Sequence, residues 1–309
     1  MPLYHVQTFY FFVHLPQEQL CSLRAWLILK AERHNILGLI VLGREGLNTT
    51  LASQSEEDLA LFVQEVKSFF RAPDFQIKKS TSEKPPFRRF VVKVREEIVT
   101  LGRPDIVPSG ERRHLSPEEW HQMLQQEDVV VIDTRNDYEV EVGTFKKAID
   151  LKIKEFREFP ERIQKLGTDK DKPHLIFCTG GIRCEKAIYE MEQQGYTNVY
   201  QLEGGIISYM EKFPEGQFEG ECFVFDSRVA VGKDLKPSER YTLCPQCGEV
   251  ASLEITCRKC DEPSKLCKSC HSQIQETPAL ETCSKNCNYH YQRDPVRKGP
   301  QQKQFYHTV

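Results

Sequence analysis

The strongest chemical signal in this 309-residue chain lies near its middle, in Cys178-Thr179-Gly180-Gly181-Ile182-Arg183-Cys184. An apolar run at residues 175–177 leads into Cys178, two glycines follow, and a helix is expected to begin near Cys184. In an open parallel sheet ligands collect at the carboxyl ends of the strands, which is where this order of elements delivers the thiol. The glycines permit a tight curl in which the successive N–H groups of Thr179, Gly180, Gly181 and Ile182 form an anion-binding nest. Together with the helix N-terminus and Arg183, that nest favours a thiolate over a thiol. Cys178 is therefore the candidate nucleophile, the alternative being a buried, inert cysteine. Cys184 suits two roles: a thiol that resolves an oxidised Cys178 as a disulfide, or a packing residue.

A second concentration of reactive groups lies downstream. Eight of the twelve cysteines form the pairs Cys244 and Cys247, Cys257 and Cys260, Cys267 and Cys270, and Cys283 and Cys287, with His271 and His290 nearby. Each pair has zinc-ligand spacing, and eight thiolates suffice for two tetrahedral four-cysteine sites. The alternative is a loosely folded tail of reduced cysteines. A short segment with few large apolar residues gains most from a metal, and with no open-coordinate triad in view its role would be structural. Spacing does not say which pairs share an ion.

The elements that must hold these groups read as three segments. Residues 1–104 alternate strand-like and helix-like stretches: strand at 4–13, helix at 16–32, strands at 37–42 and 49–52, helix at 55–70, closing strand at 90–94. That β-α-β-β-α-β order indicates a ferredoxin- or acylphosphatase-like α+β domain. Residues 103–113 have the composition of a linker, with prolines, a glycine and charges. Residues 105–227 form the second segment, opened by Ser116-Pro117-Glu118-Glu119, a capping box. Its apolar strands at 129–132 and 175–177, separated by helical stretches, argue for a parallel α/β sheet. Residues 228–309 are the cysteine-rich module, and from Arg293 onward the composition is that of a disordered basic tail.

Apolar residues make up 39% and charged residues 28%, which fits a folded chain rather than a disordered one. No apolar run reaches the roughly 18 residues of a membrane span, and residues 1–17 lack a basic leader and a cleavage site. A cytoplasmic location is expected, where the cysteines are reduced. The net charge of −3 conceals a local excess of six positive charges over residues 71–95. Within it Arg88, Arg89, Lys93 and Arg95 are the candidates for a polyanion-binding surface, with Phe87 and Phe90 among them; a solvated face is the alternative.

The central loop resembles the rhodanese pattern Tyr/Phe-Cys-x-x-Gly-x-Arg, with Cys178, Gly181 and Arg183 in its fixed positions. Upstream, Val131-Ile132-Asp133-Thr134-Arg135-Asn136-Asp137-Tyr138-Glu139 with Gly143 and Ala148, and downstream Leu202-Glu203-Gly204-Gly205-Ile206, match the same family. Asp133, Arg135 and Glu139 read as structural groups that pair with one another near the loop. Related phosphatases carry one more residue between cysteine and arginine, so phosphate monoester hydrolysis is disfavoured.

A wider resemblance, over nearly the whole chain, is carried by Gly43-Arg44-Glu45-Gly46-Leu47-Asn48, by residues 86–102 and by residues 178–186. These are similar to the TrhO family, rhodanese-domain proteins that hydroxylate the wobble uridine of transfer RNA with molecular oxygen. The resemblance implies an oxygen-bearing product, the tRNA anticodon loop as partner, molecular oxygen as co-substrate and an unidentified electron donor. It leaves Cys178, Arg183 and Cys184 as the catalytic set. The anticodon loop is already single-stranded, which suits a cysteine open to solvent. Two routes are open: addition of the thiolate to C6 of uracil, or transfer of oxygen from an oxidised Cys178. Persulfide transfer to a thiol or carrier protein is the competing enzymatic reading, and a non-catalytic RNA- or protein-binding adaptor is the third; the intact Cys178, Gly181 and Arg183 argue against the adaptor.

Overall fold

The computed structural model describes residues 3–109 and 113–299. The chain divides into two compact units, one of residues 1–226 with 231–237 and one of residues 227–230 with 238–309.

The first unit begins with β1 (Tyr4–Phe12), α1 (Leu20–Arg33), β2 (Leu37–Gly43), β3 (Gly46–Ser53), α2 (Glu56–Phe70), β4 (Lys78–Ser82) and β5 (Phe90–Val94). The strands form one sheet in the order β4-β1-β3-β2-β5, antiparallel except for the β2–β5 pair. Side chains alternate between its faces. Phe9, Phe11, Ile40, Leu42, Leu47 and Leu51 point to α1 and α2, where Leu23, Leu27, Leu59, Phe62 and Val66 complete the core. Ser55 starts α2 by accepting the Asp58 N–H at 3.0 Å, a cap worth about 1 kcal/mol. At the β2–β3 turn Gly46 has φ of 133°, and a Cβ there would lie 2.1 Å from the Phe11 carbonyl, so glycine is required.

The strand that closes the β-α-β-β-α-β unit is β4, not residues 90–94. Its sequence Lys78-Lys79-Ser80-Thr81-Ser82 has no apolar alternation, so composition conceals it. Residues 90–94 instead add a fifth strand at the opposite edge.

The second sheet holds β6 (His114–Leu115), β7 (Val130–Asp133), β9 (Ile149–Asp150), β10 (His174–Phe177) and β11 (Val199–Leu202), in the order β6-β11-β10-β7-β9. All its ladders are parallel. Between these strands come α3 (Pro117–Met123), α4 (Asp137–Val140), β8 (Gly143–Phe145), α5 (Phe159–Lys165) and α6 (Ile182–Gln193), and after β11 comes α7 (Gly205–Lys212). The capping box at Ser116 is present, with Ser116 Oγ accepting the Glu119 N–H and Glu119 accepting the Ser116 N–H. Helices cover both faces: Trp120, Tyr209 and Met210 meet Phe177 on one, and Ala187, Ile188 and Met191 meet Ile132 and Ile176 on the other. The described part of the expected linker is docked rather than loose: Ile106 joins the second core, and Arg103 bridges Asp105 and Glu190.

The second unit contains two short hairpins, Thr242–Leu243 with Val250–Ala251 and Leu253–Thr256 with Pro263–Leu266, and the helices Lys268–Ser272 and Lys285–Arg293. Its apolar core is small, Ala251, Ile255 and Leu266 packed on Cys244, Cys267 and Cys270. The stretch after Arg293 is held where disorder was expected. The buried Lys259 ammonium donates to the Asp294 carbonyl at 2.6 Å, and the Gly299 N–H donates to the Lys259 carbonyl at 3.0 Å. Residues 300–309 lie outside the described residues. No helix among those described is long and apolar enough to cross a membrane.

Candidate active site

β10 carries Cys178 to the carboxyl edge of the parallel sheet, and Gly181, with φ of 99°, turns the chain into α6. The Gly181 N–H donates to Cys178 Sγ at 3.1 Å, and the Arg183 N–H also bonds it. From behind, α7 grips the loop. The Ile206 and Ile207 N–H groups donate to the carbonyls of Cys178 and Thr179 at 3.0 and 3.2 Å. A Cβ on Gly205 would sit 2.5 Å from the Cys178 carbonyl oxygen, which explains the paired glycines of that turn.

Burial raises the Cys178 pKa, but a hydrogen bond from the Cys184 thiol, the Arg183 charge and the two N–H groups outweigh it and hold the thiol down to about 6. Cys184 moves the other way, raised by burial and by its Cys178 neighbour. Of this adjacent pair Cys178 is the thiolate and Cys184 the donor. Cys184 also packs in the core and lies 3.8 Å from Thr134 Oγ1. Its hydrogen bond to the thiolate is a role that spacing did not suggest.

Arg183 turns its guanidinium onto Glu139, with bonds of 2.6 and 2.7 Å, and lies over the Phe225 ring. Asp133 and Arg135 pair with each other at 2.6 Å, fully buried, and Arg135 reaches the Gly143 carbonyl. The expected mutual pairing of Asp133, Arg135 and Glu139 is thus corrected. Glu139 belongs to the loop arginine, because α4 places it beneath Arg183 and not on the strand end.

Cys178 is only 1% exposed, so the expected solvent-open thiol is also corrected. It lies on a cavity of about 440 Å³ whose opposite wall is the free face of the first sheet. Cross-strand register aligns Thr8, Thr50 and Leu39 in one row and Tyr10, Asn48 and Val41 in the next. These line the cavity with Phe87, Phe156, Arg157, Thr179, Gly180, Ile182, Arg183 and Phe225. The Tyr10 hydroxyl donates to Glu185 of α6 at 2.8 Å, and Gln201 donates to the other oxygen of Glu185 at 3.1 Å. Sequence reasoning missed Tyr10 and Glu185. The aromatic alternation of residues 4–13 was visible, but not which face met a second domain.

In the second unit the cysteines gather as two groups, Cys244, Cys247, Cys267 and Cys270, and Cys257, Cys260, Cys283 and Cys287, with the four sulfurs of each group within 4.8 Å of one another. Tetrahedral zinc with Zn–S of about 2.3 Å requires sulfur separations near ~3.8 Å. Cys247 and Cys267 are 3.5 Å apart, and in the other group the separations are 3.5, 3.6 and 3.8 Å. The donor set fits a metal ion of that kind. The groups interleave, first and third pairs together, second and fourth together.

Among the basic residues, Arg88, Arg89, Lys93 and Arg95 are all exposed. The local positive excess is smaller than composition suggests, since Lys78 is buried and Lys79 is paired to Glu56 at 3.1 Å. Phe90 packs against Phe62 in the first core, whereas Phe87 faces the cavity.

Three family models match along the chain: the UPF0176 acylphosphatase-like domain at residues 4–98, the rhodanese-like domain at 116–212 and the rhodanese C-terminal domain at 219–288. The tRNA uridine(34) hydroxylase of Bdellovibrio bacteriovorus is 48% identical over 301 residues, covering 97% of this chain and 85% of that protein. Those of Legionella pneumophila (strain Lens) and Acaryochloris marina are 44% and 42% identical, covering 78% and 87% of this chain and 94% and 87% of theirs. The chain belongs to the tRNA uridine(34) hydroxylase family.

The three stretches that carry its resemblance to the tRNA uridine(34) hydroxylases meet at one point. Lys186 of α6 is fully buried, with Nζ 2.8 Å from Glu45 and 2.6 Å from Glu97. Glu45 accepts the Ile98 N–H at 2.7 Å, and Glu97 accepts those of Leu101 and Gly102. Asn48 of the first stretch donates to the Ile98 carbonyl at 3.3 Å. The motif residues of the family thus fasten the first sheet to the helix that follows the reactive loop, and so fix the cavity between them.

Proposed function

We infer that this chain hydroxylates the wobble uridine of tRNA at C5, giving 5-hydroxyuridine, with Cys178 as the reactive thiolate. The observation that carries the reading is a thiolate at the boundary of a cavity formed by both sheets, in a chain whose relatives bear that activity. The cavity falls within the range of small-molecule pockets, about 300–1,000 Å³, and admits one extruded nucleotide rather than a duplex. A base must leave its stack to reach such a thiol, and in the anticodon loop this is least costly. Phe87 and Phe225 offer aromatic faces at the cavity wall.

A thiolate held in this form is suited to add to C6 of the uracil ring, making C5 electron-rich. Molecular oxygen is the co-substrate. Placing one oxygen atom on C5 and releasing the other as water takes two electrons and two protons beyond those the uridine supplies, so an electron donor outside the chain is required. Arg88, Arg89, Lys93 and Arg95 hold the tRNA backbone. Zinc in the two cysteine groups stabilises the second unit, and the protein acts in the cytoplasm.

The test is Cys178→Ser, which keeps the side-chain shape but does not ionise near neutral pH. Its tRNA product should lack the modification while the protein stays folded, and full turnover would remove Cys178 from the chemistry. Sulfur-for-oxygen exchange gives nearly the same mass shift as hydroxylation. High-resolution mass of the nucleoside, or its failure to react with a thiol-specific alkylating agent, separates the hydroxylase from a sulfurtransferase.

A further inference from the structure

We propose that Lys78, a buried lysine of the first sheet, is a positioning residue of the reactive centre whose ammonium faces Cys178 and holds it as the thiolate.

The placement follows from register. Lys78 pairs with Thr8 across the β4–β1 ladder, and paired residues of adjacent strands share a face. Thr8 lines the cavity with Cys178, so Lys78 is directed to the cavity side of the sheet and away from the α1–α2 core. Its ammonium lies 4.6 Å over the Tyr10 ring. Tyr10 in turn rests on the reactive loop: its hydroxyl is 2.8 Å from where a Cβ of Gly181 would stand. Just before β4, Gln76 Oε1 comes within 2.3 Å of the position a Cβ would take on Gly204, so this segment runs along the loop's support. Lys78 is 6% exposed, and among the described residues no hydrogen bond or ion pair to its ammonium is found. A buried ammonium without a bonded partner is costly unless charge of opposite sign faces it.

The charged and titratable groups facing it are Cys178, Glu185 of α6 and Glu203 of the turn before α7. Those facing Cys178 are Arg183 and Cys184 of its own loop and helix and, from the first sheet, Tyr10 and Lys78. Arg183 shares its charge between Cys178 and Glu139, and Lys78 is a second cation beside the thiolate, its charge shared in turn with Glu185 and Glu203. Burial lowers the Lys78 pKa to about 8, with Cys178, Glu185 and Glu203 opposing the fall. Cys178 titrates near 6, so ammonium and thiolate coexist between about pH 6 and pH 8. The first domain therefore contributes to the chemistry of the thiol as well as to the wall of the cavity.

The coupling rests on Cys178 being the reactive thiol, but its test needs neither tRNA nor oxygen. Iodoacetamide alkylation, followed at the Cys178 peptide by mass across the pH range, reads thiolate formation directly. Lys78→Met should move the midpoint upward by about one unit, making alkylation roughly tenfold slower at low pH with the alkaline plateau preserved. Lys78→Arg should retain the low midpoint. A folded Lys78→Met protein with the wild-type midpoint overturns the proposal, whatever the tRNA product proves to be. Should that variant not fold, the reciprocal measurement decides. In Cys178→Ser labelled with [13C]lysine, the Lys78 Cε titration should move to lower pH than in wild type, and an unmoved midpoint overturns the proposal equally.

Discussion

Lys186→Met removes the cation from a buried site while keeping the volume and helix propensity of the side chain. At about 2.7 Å and an effective dielectric of 20, each Lys186–carboxylate contact amounts to about 6 kcal/mol of attraction before desolvation and carboxylate repulsion offset it. Removing one partner of such a buried pair costs about 3–5 kcal/mol, a large share of the 5–15 kcal/mol typical of a folded domain. Urea unfolding followed by tryptophan fluorescence reads this unit alone, because the only two tryptophans, Trp26 and Trp120, both belong to it. The loss should depend on pH. Burial already raises the Glu45 pKa, opposed by the Lys186 hydrogen bond and charge, so deleting the lysine raises it further. A carboxyl whose folded pKa lies above its unfolded value contributes stability that is fully present below the unfolded value, near ~4.3, and lost as pH rises through the folded one. The deficit should therefore be smallest near pH 5 and largest near pH 8, on the order of the full cost. Adding Glu45→Gln and Glu97→Gln should restore part of the stability, since the amide oxygens still accept the Ile98 N–H and one of the two N–H groups that Glu97 holds. A loss below about 1 kcal/mol that does not vary with pH would refute the assignment of Lys186 as the charge that holds the two carboxylates.

Purified protein should contain close to two zinc ions, one for each cysteine group, and a strong chelator should unfold residues 238–299 before the tryptophan signal changes; elemental analysis without zinc in protein prepared free of chelators would count against both sites. Arg88→Glu combined with Arg89→Glu should weaken tRNA binding and flatten its dependence on salt while leaving Cys178 alkylation unchanged; an unaltered affinity and slope would move the RNA surface elsewhere.

Much of this site was legible because its residues obey local rules. Cys178, its glycines and the helix after them are a contiguous strand-turn-helix unit, and such units are written in neighbouring residues. The cysteine pairs were visible for the same reason, but their partnership was not, since it depends on contacts between pairs some 20 residues apart. Lys78 was read with the surface charges because a lysine in a polar strand gives no sign of burial; only the pairing of β4 with β1 reveals it. Glu139 was assigned to its sequence neighbours, and the contact that captures it comes from Arg183, 44 residues on. The solvent-open cysteine failed similarly: nothing in the loop's own residues tells that Thr8, Tyr10, Asn48 and Thr50 of the first hundred line the cavity in front of it.

The interleaving of the cysteine pairs bears on how the module is made. Translation delivers Cys244, Cys247, Cys257 and Cys260 first, four thiolates already sufficient to capture an ion, yet in the finished structure they belong to different groups. An ion seized by those four would be a trap, released only when Cys267 and Cys270 emerge and compete for the first pair. Metal supplied after synthesis meets all eight ligands at once and can select the native partition by stability. With zinc in the proposed sites, the time at which metal is supplied would then bear on the yield of the folded module as well as the affinity of the sites.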